Sequence, residues 1–174
     1  MADFLKVGEI LNQLDLKESM LAAEFGCGSA MFAIALAKKL KRGVVYALDI
    51  QEEKLSALKG KLSIEKINNV KTILCDLEAN KGSTLKDNSL DVVLIPNVLF
   101  QSENKAAIMK EAKRVLKPAG ELLVIDWLKK THFNQKENLV SPDEVKKIAE
   151  IIGFSLKKEF AAGDYHYALL FLKK

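Results

Sequence analysis

A glycine turn and two acids stand where successive short apolar runs end, and together they could grip a nucleoside. The segment Ala23-Glu24-Phe25-Gly26-Cys27-Gly28-Ser29-Ala30 leaves one apolar run and enters a helical pattern. Gly26 and Gly28 permit a tight turn and let a ligand approach the backbone where a Cβ would stand in the way. The helix start behind them offers unpaired N–H groups to a polar or anionic ligand. Glycines alone say little, because many strand-to-helix turns need them for geometry. Asp49 adds weight: it ends the next run about 20 residues on, where an acid can accept both hydroxyls of a ribose. Asp76 ends a third run, beside Leu77. An isolated acid in such a place is more often a helix cap, but two of them beside a glycine turn favour a nucleoside site.

Two neighbours select the kind of nucleoside. A dinucleotide site needs a third glycine where Met31 stands, and this side chain is expected to obstruct close helix–strand packing beneath a pyrophosphate. Glu24 would set negative charge against phosphates, yet it suits a ligand bearing an ammonium group. A nucleoside with an amino-acid tail, S-adenosylmethionine, satisfies both conditions. Groups able to move a proton are few. His166, with Asp164 close in sequence, and Asp126, at the end of the fifth apolar run, are the candidate general bases. Each has a plainer reading: a histidine stacked between Tyr165 and Tyr167, and an acid capping a loop. His132 lies in a polar stretch and reads as exposed. Trp127 and Phe100 read either as pocket lining or as core.

Elements of two periodicities must position these groups. A helix is expected over 3–14, with Phe4, Val7, Leu11 and Leu14 on one face. Runs at 20–25, 44–49, 70–75, 91–96 and 121–127 read as strands buried on both faces, as in a parallel sheet. Helical patterns at 30–40, 52–62 and 104–116 separate them, the last stopped by Pro118 and Gly120. Ser141-Pro142-Asp143-Glu144 supplies an N-cap and a first-turn proline for a further helix ending near Gly153. Two last strands, 155–160 and 166–172, are joined by so short a loop that they must form an antiparallel hairpin. The alternation describes a doubly wound α/β sheet whose last strand runs against the others. Loops 97–103, 126–140 and 161–165 then share the edge that carries the glycine turn.

The ordered set resembles the class I S-adenosylmethionine-dependent methyltransferases. Residues 24–30 are similar to that family's acid-x-Gly-x-Gly-x-Gly loop. The likeness continues through Val45-Tyr46-Ala47-Leu48-Asp49, Leu74-Cys75-Asp76-Leu77 and Leu90-Asp91-Val92-Val93-Leu94. Arg114-Val115-Leu116-Lys117-Pro118-Ala119-Gly120-Glu121-Leu122 looks like the family's Arg-Val-Leu-Lys-Pro-Gly-Gly turn. The resemblance runs from Met20 onward and is nearest to the small-molecule, type 11 branch that includes quinone-biosynthesis enzymes.

That resemblance implies a Rossmann-like seven-stranded sheet of order 3-2-1-4-5-7-6, mostly parallel with the last strand antiparallel, in one domain over 1–174 with residues 1–18 as a helix leading into it. It implies S-adenosylmethionine as cofactor, S-adenosylhomocysteine as product, and in-line transfer of the methyl group to a small-molecule acceptor. Glu24, Gly26, Cys27 and Gly28 would cradle the methionine part, with Glu24 near the ammonium. Asp49 would hold the ribose, Ile50 would pack on the adenine, and Asp76 would accept from the adenine amino group with the Leu77 backbone beside the ring. Asn97 would lie near the methionine tail and the transferring methyl. Two glycines of the family pattern are alanine here, at Ala30 and Ala119; at a helix start the added methyl of Ala30 is expected to be well tolerated. No Asn-Pro-Pro-Tyr signature stands at Pro96-Asn97-Val98-Leu99, which in the family favours an O, C, S or aliphatic-N acceptor over a planar nitrogen.

Composition narrows the field further. The chain has 174 residues, with 27 Lys+Arg against 23 Asp+Glu and a net charge of +4, an ordinary balance for one globular domain. Arg42 and Arg114 are the only arginines, and the lysines are interleaved with acids, so nucleic acid is disfavoured as a partner. No apolar run approaches the length of a membrane span, and Asp3, Lys6 and Glu9 break up any signal-peptide pattern, so a cytoplasmic protein is expected. Two cysteines, Cys27 and Cys75, are too few for a disulfide framework or a zinc site, and no metal is expected. Three other readings stay open: an NAD-dependent oxidoreductase, a non-catalytic S-adenosylmethionine-binding subunit, and an RNA methyltransferase.

Overall fold

The apolar runs become β1 (Leu21–Phe25), β2 (Val44–Asp49), β3 (Val70–Leu74), β4 (Leu90–Pro96), β5 (Leu116–Trp127), β6 (Phe154–Ala161) and β7 (His166–Lys173) in a computed structural model that describes residues 5–128 and 139–174. They form one seven-stranded sheet in the order β3-β2-β1-β4-β5-β7-β6. Pairing is parallel from β3 to β5, and β7 runs antiparallel to both β5 and β6, as expected from the short hairpin loop. Helices α1 (Val7–Leu11), α2 (Met31–Lys39), α3 (Glu52–Ile64), α4 (Lys105–Val115) and α5 (Pro142–Ile152) connect the strands, with a 3-10 turn at Leu99–Gln101.

Alternate strand residues serve two cores. Val92 and Leu94 of β4 pack with Leu36 of α2 and Leu58 of α3, whereas Val93 and Ile95 pack with Met109 of α4 and Val145 of α5. Helices α1 to α3 therefore cover one face and α4 and α5 the other, which is why the strands read as unbroken apolar runs. Leu36, Leu58, Leu94 and Ile95 are all fully buried, and each such side chain contributes about 1.5–3 kcal/mol to folding.

The element boundaries differ from expectation in two places. The opening helix is confined to Val7–Leu11 and does not extend over 3–14; Asp3 and Phe4 lie outside the described residues. No side chain caps its start at Lys6, and Gly8 and Asn12 are poor helix formers, so the segment turns after Leu11 and delivers Leu14 to the core from outside the helix. At the other boundary, α4 passes directly into β5 at Leu116. Leu90 pairs with Leu116 and Val92 with Glu121, so residues 117–120 bulge out of the ladder. Ala119 takes a φ of 60° in that bulge, and a Cβ on Gly120 would stand 2.9 Å from the Lys117 carbonyl oxygen. By contrast α5 forms as read: Ser141 Oγ accepts the Glu144 amide at 3.1 Å, Pro142 opens the first turn, and Gly153 ends the helix at φ 94°.

Arg114 clamps the loop between β3 and β4 onto α4. Its guanidinium donates to both Glu111 carboxylate oxygens at 2.6 and 2.8 Å, to Asp87 at 2.5 Å and to the Leu85 carbonyl at 2.7 Å. Burial works against the Glu111 carboxylate, but bonds from Arg114 and Ser83 outweigh it and hold the group below its usual range.

Candidate functional site

The carboxyl ends of β1, β2, β3 and β4 meet around a cavity of about 630 Å³. All nine cofactor residues expected from the sequence line it: Glu24, Gly26, Cys27 and Gly28 from β1 and its turn, Asp49 at the end of β2 with Ile50 after it, Asp76 and Leu77 beyond β3, and Asn97 beyond β4. Convergence at this edge follows from the parallel order, because crossovers return the chain to the opposite edge before each strand.

The glycine turn is fastened to β2. The amides of Gly26 and Cys27 both donate to the Leu48 carbonyl, at 2.8 and 2.9 Å. Gly28 donates to Asp49 Oδ2 at 3.1 Å, while Asp49 Oδ1 accepts the Gln51 amide at 3.0 Å. One carboxylate thus orients both the glycine turn and the start of α3. Gly26 is irreplaceable on two counts: its φ is 80°, and a Cβ there would lie 2.3 Å from Val98 Cγ2. Burial pushes the Cys27 thiol up to about 12 and the Cys75 thiol up to about 11, so neither serves as a nucleophile at neutral pH.

Two expectations about this turn are corrected. Ala30 caps α2 in the left-handed region, at φ 71°, so its methyl is not indifferent there; an L-residue in that region costs about 1–2 kcal/mol. Met31 does not wedge between helix and strand. It is 46% exposed and lines the cavity, while Phe32 and Ala33 make the buried contact.

Glu24 is the most unusual group. It is 2% exposed, and its Oε2 has no hydrogen-bond partner among the described residues. Burial drives its carboxyl well above the usual range, against the Ala33 amide and with help from the Asp49 charge. A buried acceptor of this kind facing a cavity fits a ligand ammonium. Elsewhere in the cavity lining, Ile50 is 65% exposed and Leu77 is buried, and Asp76 Oδ1 accepts the Glu78 amide at 2.8 Å. Asn97 takes a φ of 56°; its amide donates to the Ile125 carbonyl at 2.8 Å, and its side-chain Oδ1 is buried without a partner among the described residues. These donors and acceptors suit a nucleoside with an amino-acid tail.

Glu78 closes the cavity wall and was not singled out from the sequence. Its carboxylate accepts Ser102 Oγ at 2.9 Å and the amides of Glu103 and Asn104 at 3.1 and 2.9 Å, joining the loop after β3 to the start of α4. Its partners are distant in the chain, and no local pattern announces them. Leu5, Lys54 and Gln101 also line the cavity without a sequence signal.

The candidate bases do not reach it. His166 is 1% exposed, with its ring 4.1 Å from that of Trp127. Asp126 is fully buried; its Oδ1 accepts the Trp127 amide at 2.8 Å and its Oδ2 the Phe100 amide at 3.1 Å. Asp164 is exposed, and His132 lies outside the described residues. Trp127 and Phe100 meet edge to face at 6.5 Å, and neither lines the cavity. Among the described residues no group of three or more His, Cys, Asp or Glu could hold a metal ion, and no helix is long and apolar enough to cross a membrane.

Comparison with known proteins bears on the family and the fold. Residues 16–161 match the family described as Methyltransferase domain. The chain is 28% identical over 134 residues to a demethylmenaquinone methyltransferase of Geobacillus kaustophilus, covering 74% of this chain and 54% of that one. It is 28% identical over 159 residues to ribosomal RNA-processing protein 8 of Arabidopsis thaliana, covering 90% and 46%. The chain thus spans about half the length of the curated relatives it matches. In fold it is similar to a SAM-dependent methyltransferase from Aquifex aeolicus, with a TM-score of 0.82 and 24% identity over 98% of this chain and 90% of the other.

Proposed function

This chain belongs to the methyltransferase-domain family, and from that premise we propose that it transfers a methyl group from S-adenosylmethionine to a small-molecule acceptor. The observation that carries the reading is the buried, unpartnered Glu24 oxygen in the same cavity as Asp49 and the glycine turn. When bound, the cofactor supplies an electrophilic methyl on a sulfonium. The chain's own work is to bind, orient and exclude water, which is where most of the rate of an in-line displacement can arise. Glu24 holds the ammonium, and the backbone of Gly26, Cys27 and Gly28 follows the methionine portion. Asp49, already oriented by the Gly28 and Gln51 amides, accepts the ribose hydroxyls. Ile50 and Leu77 flank the adenine, Asp76 accepts its amino group, and Asn97 stands beside the methionine side.

Likeness to demethylmenaquinone methyltransferases supports a quinone-type or other small aromatic acceptor. A second reading, methylation of RNA, draws on the Arabidopsis relative; the scarcity of arginine weighs against it. Titrating S-adenosylhomocysteine by calorimetry, with NADH as control and Asp49→Ala as the matched variant, tests the cofactor. Micromolar binding lost in the variant is expected; binding of NADH alone would overturn the proposal. RNA retention that falls steeply with added salt would favour the second reading.

A further inference from the structure

We propose that Asp126 is a positioning residue for this site: its carboxylate sets the turn that brings Asn97, Val98 and Gln101 to the cavity by accepting the amides of Phe100 and Trp127. The meaning of the cavity rests on the methyltransferase reading; the mechanics of the turn do not. Two bonds from β5 hold the segment that follows β4. The Asn97 amide reaches the Ile125 carbonyl at 2.8 Å, and the Phe100 amide reaches Asp126 Oδ2 at 3.1 Å. Between them Asn97 adopts its left-handed φ, and Gln101 Nε2 donates to the Asn97 carbonyl at 3.0 Å. Val98 sits so close to Gly26 that no Cβ fits between them. A shift of the turn therefore reaches the glycine loop as well as Asn97.

The side chain must be a carboxylate because two converging N–H donors each need an acceptor. Asparagine offers one oxygen and turns an NH₂ against the other donor; a protonated acid has the same defect on one side. Among the described residues the titratable groups beside Asp126 are Tyr167 of β7, its cross-strand partner, and Lys105 at the start of α4; His166 pairs with Trp127 on the opposite face of β5. Glu144 of α5 acts on Tyr167. The turn itself carries no titratable group, and β4 approaches with Ile95 and Pro96. Burial raises the Asp126 carboxyl to about 7, against the pull of the Trp127, Phe100 and Leu99 amides and of Lys105. Loss of its proton on going from acid to neutral pH should thus tighten the turn and the cavity together.

Carbon-13 NMR of the Asp126 carboxyl, amide spectra of the whole protein and S-adenosylhomocysteine calorimetry, each followed from about pH 5.5 to 8.5, test this. The carboxyl should titrate near 7, with the Phe100 and Trp127 amides moving at the same midpoint. Affinity should rise about tenfold through that midpoint. Glu24 adds a pH dependence of its own, so the diagnostic component is the one that tracks the Asp126 signal. In Asp126→Asn that component should vanish, leaving affinity about tenfold weak at neutral pH, while in His166→Gln it should persist. Amides that ignore the carboxyl, wild-type affinity in Asp126→Asn, or loss of the midpoint in His166→Gln would each overturn the proposal. Should Asp126→Asn fail to fold, the wild-type amide titration decides. Absence of any S-adenosylhomocysteine binding would sink the methyltransferase reading alone, with the amide titration still judging the turn.

Discussion

Replacing Glu24 by glutamine should move stability and ligand affinity in opposite directions. In the folded protein the carboxyl is held well above 4.5, chiefly by burial, with the Ala33 amide opposing and Asp49 assisting. Below the unfolded value both states carry the proton, and the group leaves folding unaffected. Above it the unfolded chain releases the proton while the folded chain retains it. Stability then falls as pH rises, by up to about 1.4 kcal/mol per pH unit, until the folded group ionises too. Glutamine is neutral and nearly isosteric, so Glu24→Gln should match the wild type near about pH 4 and exceed it by a margin that grows as the pH rises toward neutrality. For a chain of this size that is a rise of about 2–4 °C in Tm per kcal/mol. The ligand ammonium draws the proton off the carboxyl on binding, so the same change removes a charge-assisted bond worth about 1.5–3 kcal/mol less the cost of that proton release, at most roughly 10- to 150-fold in the Kd of S-adenosylhomocysteine. Thermal melts across pH read the first effect and calorimetry the second. A variant less stable than wild type at pH 7, or one that binds the ligand equally well, would show that Glu24 is a structural carboxylate and refute this account.

Gly26→Ala should abolish S-adenosylhomocysteine binding and destabilise the fold by about 1–3 kcal/mol, because its Cβ meets Val98 Cγ2 at 2.3 Å; adding Val98→Ala should restore only part of the stability, since the positive φ remains. Ala30→Gly should raise stability in urea by about 0.5–1 kcal/mol, the left-handed cap being freed of its Cβ. Arg114→Met strands the buried Glu111 and should cost about 3 kcal/mol in urea unfolding. Since Glu111 is held below 4.5 in the folded state, this stabilisation is present above 4.5, and the gap between the two proteins should narrow as pH falls through the folded value.

The sheet and the residues that line the cavity were legible because their signals are local. A glycine turn or an acid at the end of an apolar run states both its element and its position on the edge, and parallel order alone brings Glu24, Asp49, Asp76 and Asn97 together. Ser141, Pro142 and Gly153 likewise mark α5 by short-range chemistry. What was not legible depends on contacts far along the chain. Glu78 gains its role from Ser102 and Asn104. His166 and Asp126 are buried because β7 lies beside β5, which pairs His166 with Trp127 and Asp126 with Tyr167, and neither lines the cavity. The length of α1 and the bulge at 117–120 were misread for a related reason: tertiary packing of Leu14 and the register of Leu90 on Leu116 override the local pattern.

Strand β7 follows β6 in the chain but lies between β6 and β5. During synthesis from the N-terminus, β1 to β5 can assemble in turn, with β2 on β1, β3 on β2, β4 on β1 and β5 on β4, each onto a neighbour already made. Strand β6 emerges next and finds no partner, since the place beside β5 belongs to residues not yet translated. Until His166–Lys173 arrives, the open edge of β5 presents Leu122, Val124 and Ile125 beside unpaired backbone groups. Such an edge is a template for pairing with other chains. A ribosome stalled between β6 and β7 would therefore hold a nascent chain with its cavity end already shaped and its far edge adhesive, a state that calls for chaperone cover.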